Sequence, residues 1–238
     1  MKTLLYAIST LYVCLYLAPL ASAQGFVSKL IVKENETFVV GPDNVLKVDT
    51  LIMYDNSAIV FNPTKQGVLE SKFAIIGKNC IVSSRGADGS VGVFLTSGGD
   101  GQNGGNLTLI VNFKSLGKLI VDTRGGNGGQ GSKGIDGKPG TPGKTETITY
   151  RDSNGVLQSY QVYHPGEPGT DGIDAFPGGN PGSGGNLSFT YSTDGFVPVF
   201  NQELRDTNRI IILHKAGVRG RDGQRGMAHD IRNKSGSV

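Results

Sequence analysis

Residues 125–144 read GGNGGQGSKGIDGKPGTPGK, and glycine occupies every third position from residue 125 to residue 143. Collagen has this spacing because only glycine fits at the crowded axis of its triple helix. Flexible linkers, in contrast, are usually rich in glycine and serine without a period. The stretch therefore leaves three interpretations open: helices that pack within one chain, a collagen-like assembly between chains, or mobile loops on a β fold.

The same spacing recurs in five other runs, at residues 86–92, 98–104, 166–172, 179–185 and 217–226. A polyproline-II helix has three residues per turn, so glycine at every third position leaves one side of the helix bare. Several such helices can pack bare side to bare side, with backbone groups in direct contact. The glycines predicted to be structural are Gly125, Gly128, Gly131, Gly134, Gly137, Gly140, Gly143, Gly217, Gly220, Gly223 and Gly226.

Apolar, strand-like segments lie between the runs. A unit of strand, short polar turn and strand recurs at residues 51–61, 73–83 and 109–121. Copies of one such unit are typical of a β-solenoid, whereas ordinary hairpins would form a sandwich. The glycine run and strand at 98–109 also match those at 178–189. We therefore predict an all-β fold with glycine-rich polyproline-II helices: a layered β-solenoid or sandwich, continued by a Gly-x-x helix bundle.

The glycine spacing resembles that of Gly-x-x repeat proteins of the polyproline-II bundle type, such as glycine-rich antifreeze proteins and some phage adhesin tips. The triplets at 125–143 also resemble collagen. The resemblance covers roughly a quarter of the chain and is one of pattern, so no functional residue can be transferred from it. It implies a rigid bundle that presents its outward side chains.

The N-terminus is typical of a secretory signal. Lys2 precedes an apolar stretch at 4–20, and Ala21-Ser22-Ala23 forms a small-residue cleavage site. We predict a signal peptide at 1–23 and a secreted or cell-surface protein, exported to the periplasm if the source is bacterial; the alternative is an uncleaved anchor. The other predicted divisions are an N-terminal β segment at 24–79, a repeated strand and glycine-run domain at 80–226, and a polar basic tail at 227–238.

Charge and cysteine content restrict the function further. The net charge of +3 is too small to indicate nucleic-acid binding. Cys80 is the only cysteine after the predicted cleavage site, and its apolar neighbours predict a buried thiol, with an intermolecular disulfide as the alternative.

Two sets of charged residues are candidate binding sites. The basic set lies near the C-terminus and would bind an anionic surface or polysaccharide, although a solvated polar face is the simpler interpretation; it comprises Arg209, Lys215, Arg219, Arg221 and Arg225. The acidic set faintly resembles calcium-binding G-G-x-G-x-D repeats, although Asp-Gly also simply suits turns; it comprises Asp88, Asp100, Asp136, Asp171 and Asp174. We predict no cofactor, with calcium as the open alternative.

No catalytic motif is visible in the sequence. The three histidines are isolated, and neither a Gly-x-Ser-x-Gly elbow nor a phosphate-binding loop is present. We therefore predict a secreted, non-catalytic structural or adhesive protein whose partners are a cell-surface or matrix protein or a polysaccharide. The open alternatives are a carbohydrate-binding or polysaccharide-cleaving β-helix and, third, ice binding. A homo-oligomer is compatible with each of these.

Overall fold

The computed structural model describes residues 27–202 and 207–227. The predicted signal peptide, and the predicted tail beyond Met227, lie outside these residues. The described residues form strands and no helix, which confirms the predicted all-β class. The strands are β1 (Val27–Val32), β2 (Thr37–Val39), β3 (Val45–Met53), β4 (Ala58–Val60), β5 (Gly67–Ile76), β6 (Cys80–Ser83), β7 (Leu107–Leu116), β8 (Lys118–Asp122), β9 (Lys144–Arg151), β10 (Leu157–His164), β11 (Leu187–Thr193), β12 (Val199–Phe200) and β13 (Arg209–Leu213).

Most strands belong to two parallel sheets. The first has the order β1-β3-β5-β7-β11, and the second has the order β12-β13-β8-β6-β4-β2. The predicted units at 51–61, 73–83 and 109–121 coincide with β3–β4, β5–β6 and β7–β8, so each unit gives one strand to each sheet. Both sheets cross the predicted boundary between residues 79 and 80, which falls between β5 and β6.

The core lies between the inner faces of the two sheets. In β3, β5 and β7 buried residues alternate with more exposed ones, as expected for half-covered strands, apart from one gap of two residues within each strand. Leu51, Ala74 and Phe113 stand side by side on neighbouring strands, and all three are almost completely buried. Cys80 is fully buried, which confirms the prediction for its thiol.

Asparagine occupies the same place in three successive turns between the sheets. Asn35, Asn56 and Asn79 have φ values of 59°, 59° and 54°. This left-handed conformation is unfavourable for most side chains, and asparagine tolerates it better than all others except glycine. The Nδ2 of Asn79 lies 3.5 Å from Oδ1 of Asn56, so the turns stack on one another like the strands that they join.

Five glycine-rich segments lie outside the strands, at the same end of the two sheets. Segments I, III and V follow strands of the second sheet, namely β6, β8 and β13. Segments II and IV lead into β7 and β11 of the first sheet. Their residues are 84–92 (I), 96–105 (II), 123–143 (III), 165–185 (IV) and 214–227 (V). The hairpin formed by β9 and β10 connects segment III to segment IV.

Backbone hydrogen bonds at every third residue join these segments into two layers. In the first layer, segments I, III and V are parallel; for example, Gly89 donates to the Asn127 carbonyl and Gly128 to that of Val218. In the second layer, segment IV accepts from segment II, as from Gly101 to Asn180. Neighbouring segments of opposite layers are antiparallel and are also bonded to one another. The glycine runs therefore pack within one chain in this structure.

The register of the strands continues into the segments. Residues 80 apart pair in β7 and β11, where Leu107 stands beside Leu187, and the Asn180 N–H also reaches the Asp100 side chain 80 residues earlier. Likewise, β6 and β8 pair at an offset of 39 residues, as do segments I and III that follow them. The offset of 91 residues is shared by β8 with β13 and by segment III with segment V. The residue offsets between neighbouring strands are therefore the same as those between the glycine segments attached to them.

The predicted structural glycines all lie where a side chain would collide with a neighbour. At ten of the eleven, an added Cβ would first meet a backbone carbonyl oxygen of another segment. Gly143 differs, because there the Cβ would meet the hydroxyl of Tyr163. The period of three therefore corresponds to the spacing at which neighbouring backbones come into direct contact.

Candidate functional site

The hairpin of β9 and β10 is the most exposed ordered element of the described chain. Its sequence alternates on both sides of the loop Ser153-Asn154-Gly155, and Gly155 has a φ of 75°. The Asp152 N–H donates to the Val156 carbonyl, and the Gly155 N–H donates to the Asp152 carbonyl, both at 2.9 Å. This is a three-residue hairpin loop with glycine in the left-handed position, as its sequence requires.

The two faces of the hairpin differ in chemistry. One face carries an apolar and aromatic group at its centre, consisting of Ile148, Tyr150, Tyr160 and Val162. Tyr150 and Tyr160 contact each other edge to face, with ring centroids 6.0 Å apart, and each ring is about half exposed. The other face carries mainly hydroxyl and amide side chains. The hairpin therefore presents aromatic surface that no other described residue covers.

The glycine segments hold the hairpin away from the sheets. Segments I and II end at the level of Ser132, which accepts from Phe176 in segment IV. The described part of segment V reaches Met227, whose carbonyl accepts from the Gly137 N–H. Among the described residues beyond this level, segments III and IV continue side by side, joined by the bond from the Thr141 N–H to the Glu167 carbonyl at 2.9 Å. Within the described residues, segments III and IV are thus the two that extend to the hairpin, whereas segments I and II end nearer the sheets.

Charged groups lie at the two ends of the hairpin. At its base, His164 Nε2 is 3.4 Å from a carboxylate oxygen of Glu146. At its tip, Arg151 donates to the Gly155 carbonyl at 2.8 Å. The backbone N–H of Val156, with help from that of Asn154, lowers the pKa of the Asp152 carboxyl. Between these ends, β10 carries no charged residue from Leu157 to Tyr163.

The hairpin was not predicted from the sequence. A signal was present, because Asn154-Gly155 lies between two runs with alternating side chains, TETITYR and LQSYQVYH. The insert is short and polar and lies between two long glycine runs, so its pattern is the weaker of the two periodic signals in this region.

The predicted basic residues mostly share one segment. Lys215, Arg219, Arg221 and Arg225 lie on segment V, at the edge of its layer. Two of them form ion pairs with aspartates, namely Arg219 with Asp222 at 3.2 Å and Arg225 with Asp174 at 2.7 Å. Arg209 stands apart in β13, where it is half buried. The structure therefore brings four of the five together and leaves anion binding a prediction.

The predicted calcium ligands are distributed along the glycine segments. Oδ1 of Asp88, Asp100 and Asp136 each accepts a backbone N–H from a neighbouring segment, at 2.8, 2.7 and 2.8 Å. Asp171 and Asp174 line a shallow depression of about 580 Å³ together with Arg225. Within the described residues, no three acidic, histidine or cysteine side chains form a group suited to a metal ion.

A second candidate site lies at the β11 end of the two sheets. Phe189, Tyr191 and Phe200 cluster there, with ring centroids 5.5–6.4 Å apart. They form the floor of a depression of about 540 Å³, whose rim includes Asn186, Asn201 and His214. Such a combination of aromatic surface and polar rim is suited to a small polar ligand with an apolar face.

Comparison with known proteins identified no relative: no family model, no curated protein and no solved structure matches this chain. In the described part of the chain, no helix is long and apolar enough to cross a membrane.

Proposed function

We propose that this is a secreted, non-catalytic structural or adhesive protein. In it, a β core carries a rigid glycine-rich spike, formed by segments I–V, with a binding hairpin, formed by β9 and β10, at its tip. The observation that carries the proposal is the shared register of strands and glycine segments. The offset of 80 residues joins Leu107 to Leu187 in the sheet and Asp100 to Asn180 in the bundle. A spike that continues its core in this way transmits position and force to its tip.

Within this proposal, the core is a β-solenoid whose coils are the strand pairs. The support is the topology of the two parallel sheets. Successive strands from β1 to β7 belong alternately to the first and the second sheet, and within each sheet these strands stand in chain order. Stacked turns such as those of Asn56 and Asn79 are also what successive coils of a solenoid would contain.

The glycine segments are, in the same proposal, polyproline-II helices that form a bundle. Hydrogen bonds at every third residue and glycines against neighbouring carbonyls support this interpretation. With a rise of about 3.1 Å per residue, segment III would be roughly 60 Å long. The resemblance to the bundles of phage adhesin tips leads to the same expectation, a stiff support for exposed groups.

A carbohydrate-binding function is the second candidate, and the aromatic depression at the β11 end favours it. Tyr191 is 41% exposed there and stands beside Phe189 and Phe200. A sugar ring would stack on such a surface, while Asn186 and Asn201 offer hydrogen-bonding groups.

Bead adhesion under flow would test both candidates. Beads coated with the full chain would be passed over cellulose, chitin, alginate and a surface coated with the same protein. A variant with residues 144–164 replaced by a short Gly-Ser linker tests the hairpin, and Tyr191→Ala tests the depression. We expect retention that the linker variant loses and Tyr191→Ala keeps. Retention that depends on Tyr191 would favour carbohydrate binding, and release of reducing sugar would replace the proposal with an enzyme.

A further inference from the structure

The free backbone groups of the hairpin can be assigned from its loop. Asp152 and Val156 form a hydrogen-bonded pair, and such pairs alternate with non-bonded pairs along an antiparallel ladder. The register then bonds Gln158, Tyr160, Val162 and His164 to β9. The N–H and C=O groups that point outward from the edge of β10 belong to Leu157, Ser159, Gln161 and Tyr163.

The two edges of the hairpin differ in charge. The β9 edge carries Lys144, Glu146 and Arg151, and charged side chains protect an edge strand from pairing with another strand. The β10 edge has no charged residue from Leu157 to Tyr163 and no proline. It is therefore the edge that is open to strand addition.

We propose that β10 pairs antiparallel with β10 of a second copy, so that two spikes join tip to tip. This inference rests on the proposed function and names its partner, a second copy of the chain. With the twofold axis at Tyr160, Leu157 stands opposite Tyr163 of the second copy and Ser159 opposite its Gln161. All the outward backbone groups of β10 are then bonded, whereas a shift of the axis to Gln161 would place Leu157 opposite Pro165, which has no N–H.

The pairing would also stabilise the hairpin, which on its own has only two strands. A two-stranded sheet is marginally stable in water, and three or more strands with an apolar face are needed for independent stability. In the four-stranded sheet, Ile148 and Tyr160 of each copy form one continuous row, because Ile148 is already the partner of Tyr160 in the hairpin. Opposed aromatic residues of this kind stabilise a pair of strands.

Two proline variants at one cross-strand pair would test this directly. Gln161 and Thr147 are paired in the hairpin, and the N–H of each points outward, on opposite edges. Proline at either position spares the bonds between β9 and β10 but blocks strand addition on its own edge. By multi-angle light scattering across a 100-fold range of concentration, we expect a dimer for the parent chain and Thr147→Pro, and a monomer for Gln161→Pro. A dimer that survives Gln161→Pro would overturn the proposal.

A second matched pair covers the case in which proline disturbs folding. Tyr160→Lys and Tyr150→Lys lose the same ring contact within the hairpin, but only Tyr160→Lys places two like charges opposite each other at the twofold axis. We expect Tyr160→Lys to be monomeric and Tyr150→Lys to remain dimeric. If the parent chain is monomeric but hairpin-dependent bead retention persists on a polysaccharide, this inference fails and the proposed function stands. If neither a dimer nor hairpin-dependent retention is found, both fail.

Discussion

The backbone N–H of Asn180 donates to Oδ1 of Asp100 at 2.7 Å, although 80 residues separate the two in the chain. The N–H groups of Ser183 and Asn186 donate to Asn103 and Asn106 at the same separation. Side-chain oxygens at every third residue of segment II and its continuation thus accept from N–H groups of segment IV and its continuation that donate to no backbone carbonyl. They fix the register between two otherwise similar segments.

Replacement of Asp100 should separate this structural role from calcium binding. Asp100→Ala removes the acceptor of the Asn180 N–H, and we expect the free energy of unfolding to fall by about 1 kcal/mol. Asp100→Asn keeps an oxygen at the same place and should lose less than half as much. Urea denaturation of the two variants measures the difference. Equal losses, together with a melting temperature of the parent chain that rises with millimolar calcium, would instead favour the predicted calcium site.

A glycine at the centre of the bundle should not tolerate a methyl group. The Gly129 N–H donates to Gly99, its carbonyl accepts from Gly179, and an added Cβ would overlap the carbonyl oxygen of Ser90. Because backbone rather than a flexible side chain must move, we expect Gly129→Ala to lower the free energy of unfolding by about 2–3 kcal/mol. Gln130→Ala is the matched control, since Gln130 is exposed in the same segment. Similar stabilities for the two variants would contradict the close packing of the segments.

The thiol of Cys80 should react only when the core opens. Its Sγ lies 3.2 Å from the Tyr54 carbonyl oxygen, and burial raises the pKa of the thiol. Both effects oppose attack by a disulfide reagent. We expect the native chain to react with Ellman's reagent roughly 100-fold more slowly than the chain in guanidinium chloride, because reaction requires local unfolding. Cys80→Ala should lack this slow phase; a fast phase that disappears in this variant would show that the thiol is accessible.

The strand units of the core could be predicted from the sequence because burial leaves a clear pattern. In units such as 73–83, apolar residues are concentrated in strands and the turn carries asparagine. The likeness between 98–109 and 178–189 also indicated equivalent places, and the structure sets these stretches side by side in register. Repetition of sequence thus identified neighbours that are far apart in the chain.

The order of the glycine segments could not be predicted, because a period of three allows any two runs to pair at many offsets. The offsets of 39, 80 and 91 follow from the lengths of the intervening inserts and from the register of the strands. The hairpin was missed for a different reason. Its residues are almost all exposed, so no buried face marks them, and Tyr150 and Tyr160 differ from surface tyrosines only by their placement at the end of the bundle.

The bundle should lose stability in acid through Asp88. Its Oδ1 accepts from the Asn127 N–H at 2.8 Å and from Arg85 at 2.9 Å, and the Asn127 bond is the main cause of a pKa below the ordinary value of 3.8. A carboxyl with a lowered pKa in the folded state stabilises the fold above its unfolded pKa and loses this contribution as the pH falls through the folded value. Asp88→Asn keeps the acceptor but cannot titrate. The melting temperature of the parent chain should therefore exceed that of Asp88→Asn at pH 6, and the difference should shrink below about pH 4.

Glu34→Gln, in an exposed turn, serves as the control for general acid effects. A difference between the parent and Asp88→Asn that stays constant down to pH 2.5 would show that the Asp88 charge does not stabilise the contact between segments I and III.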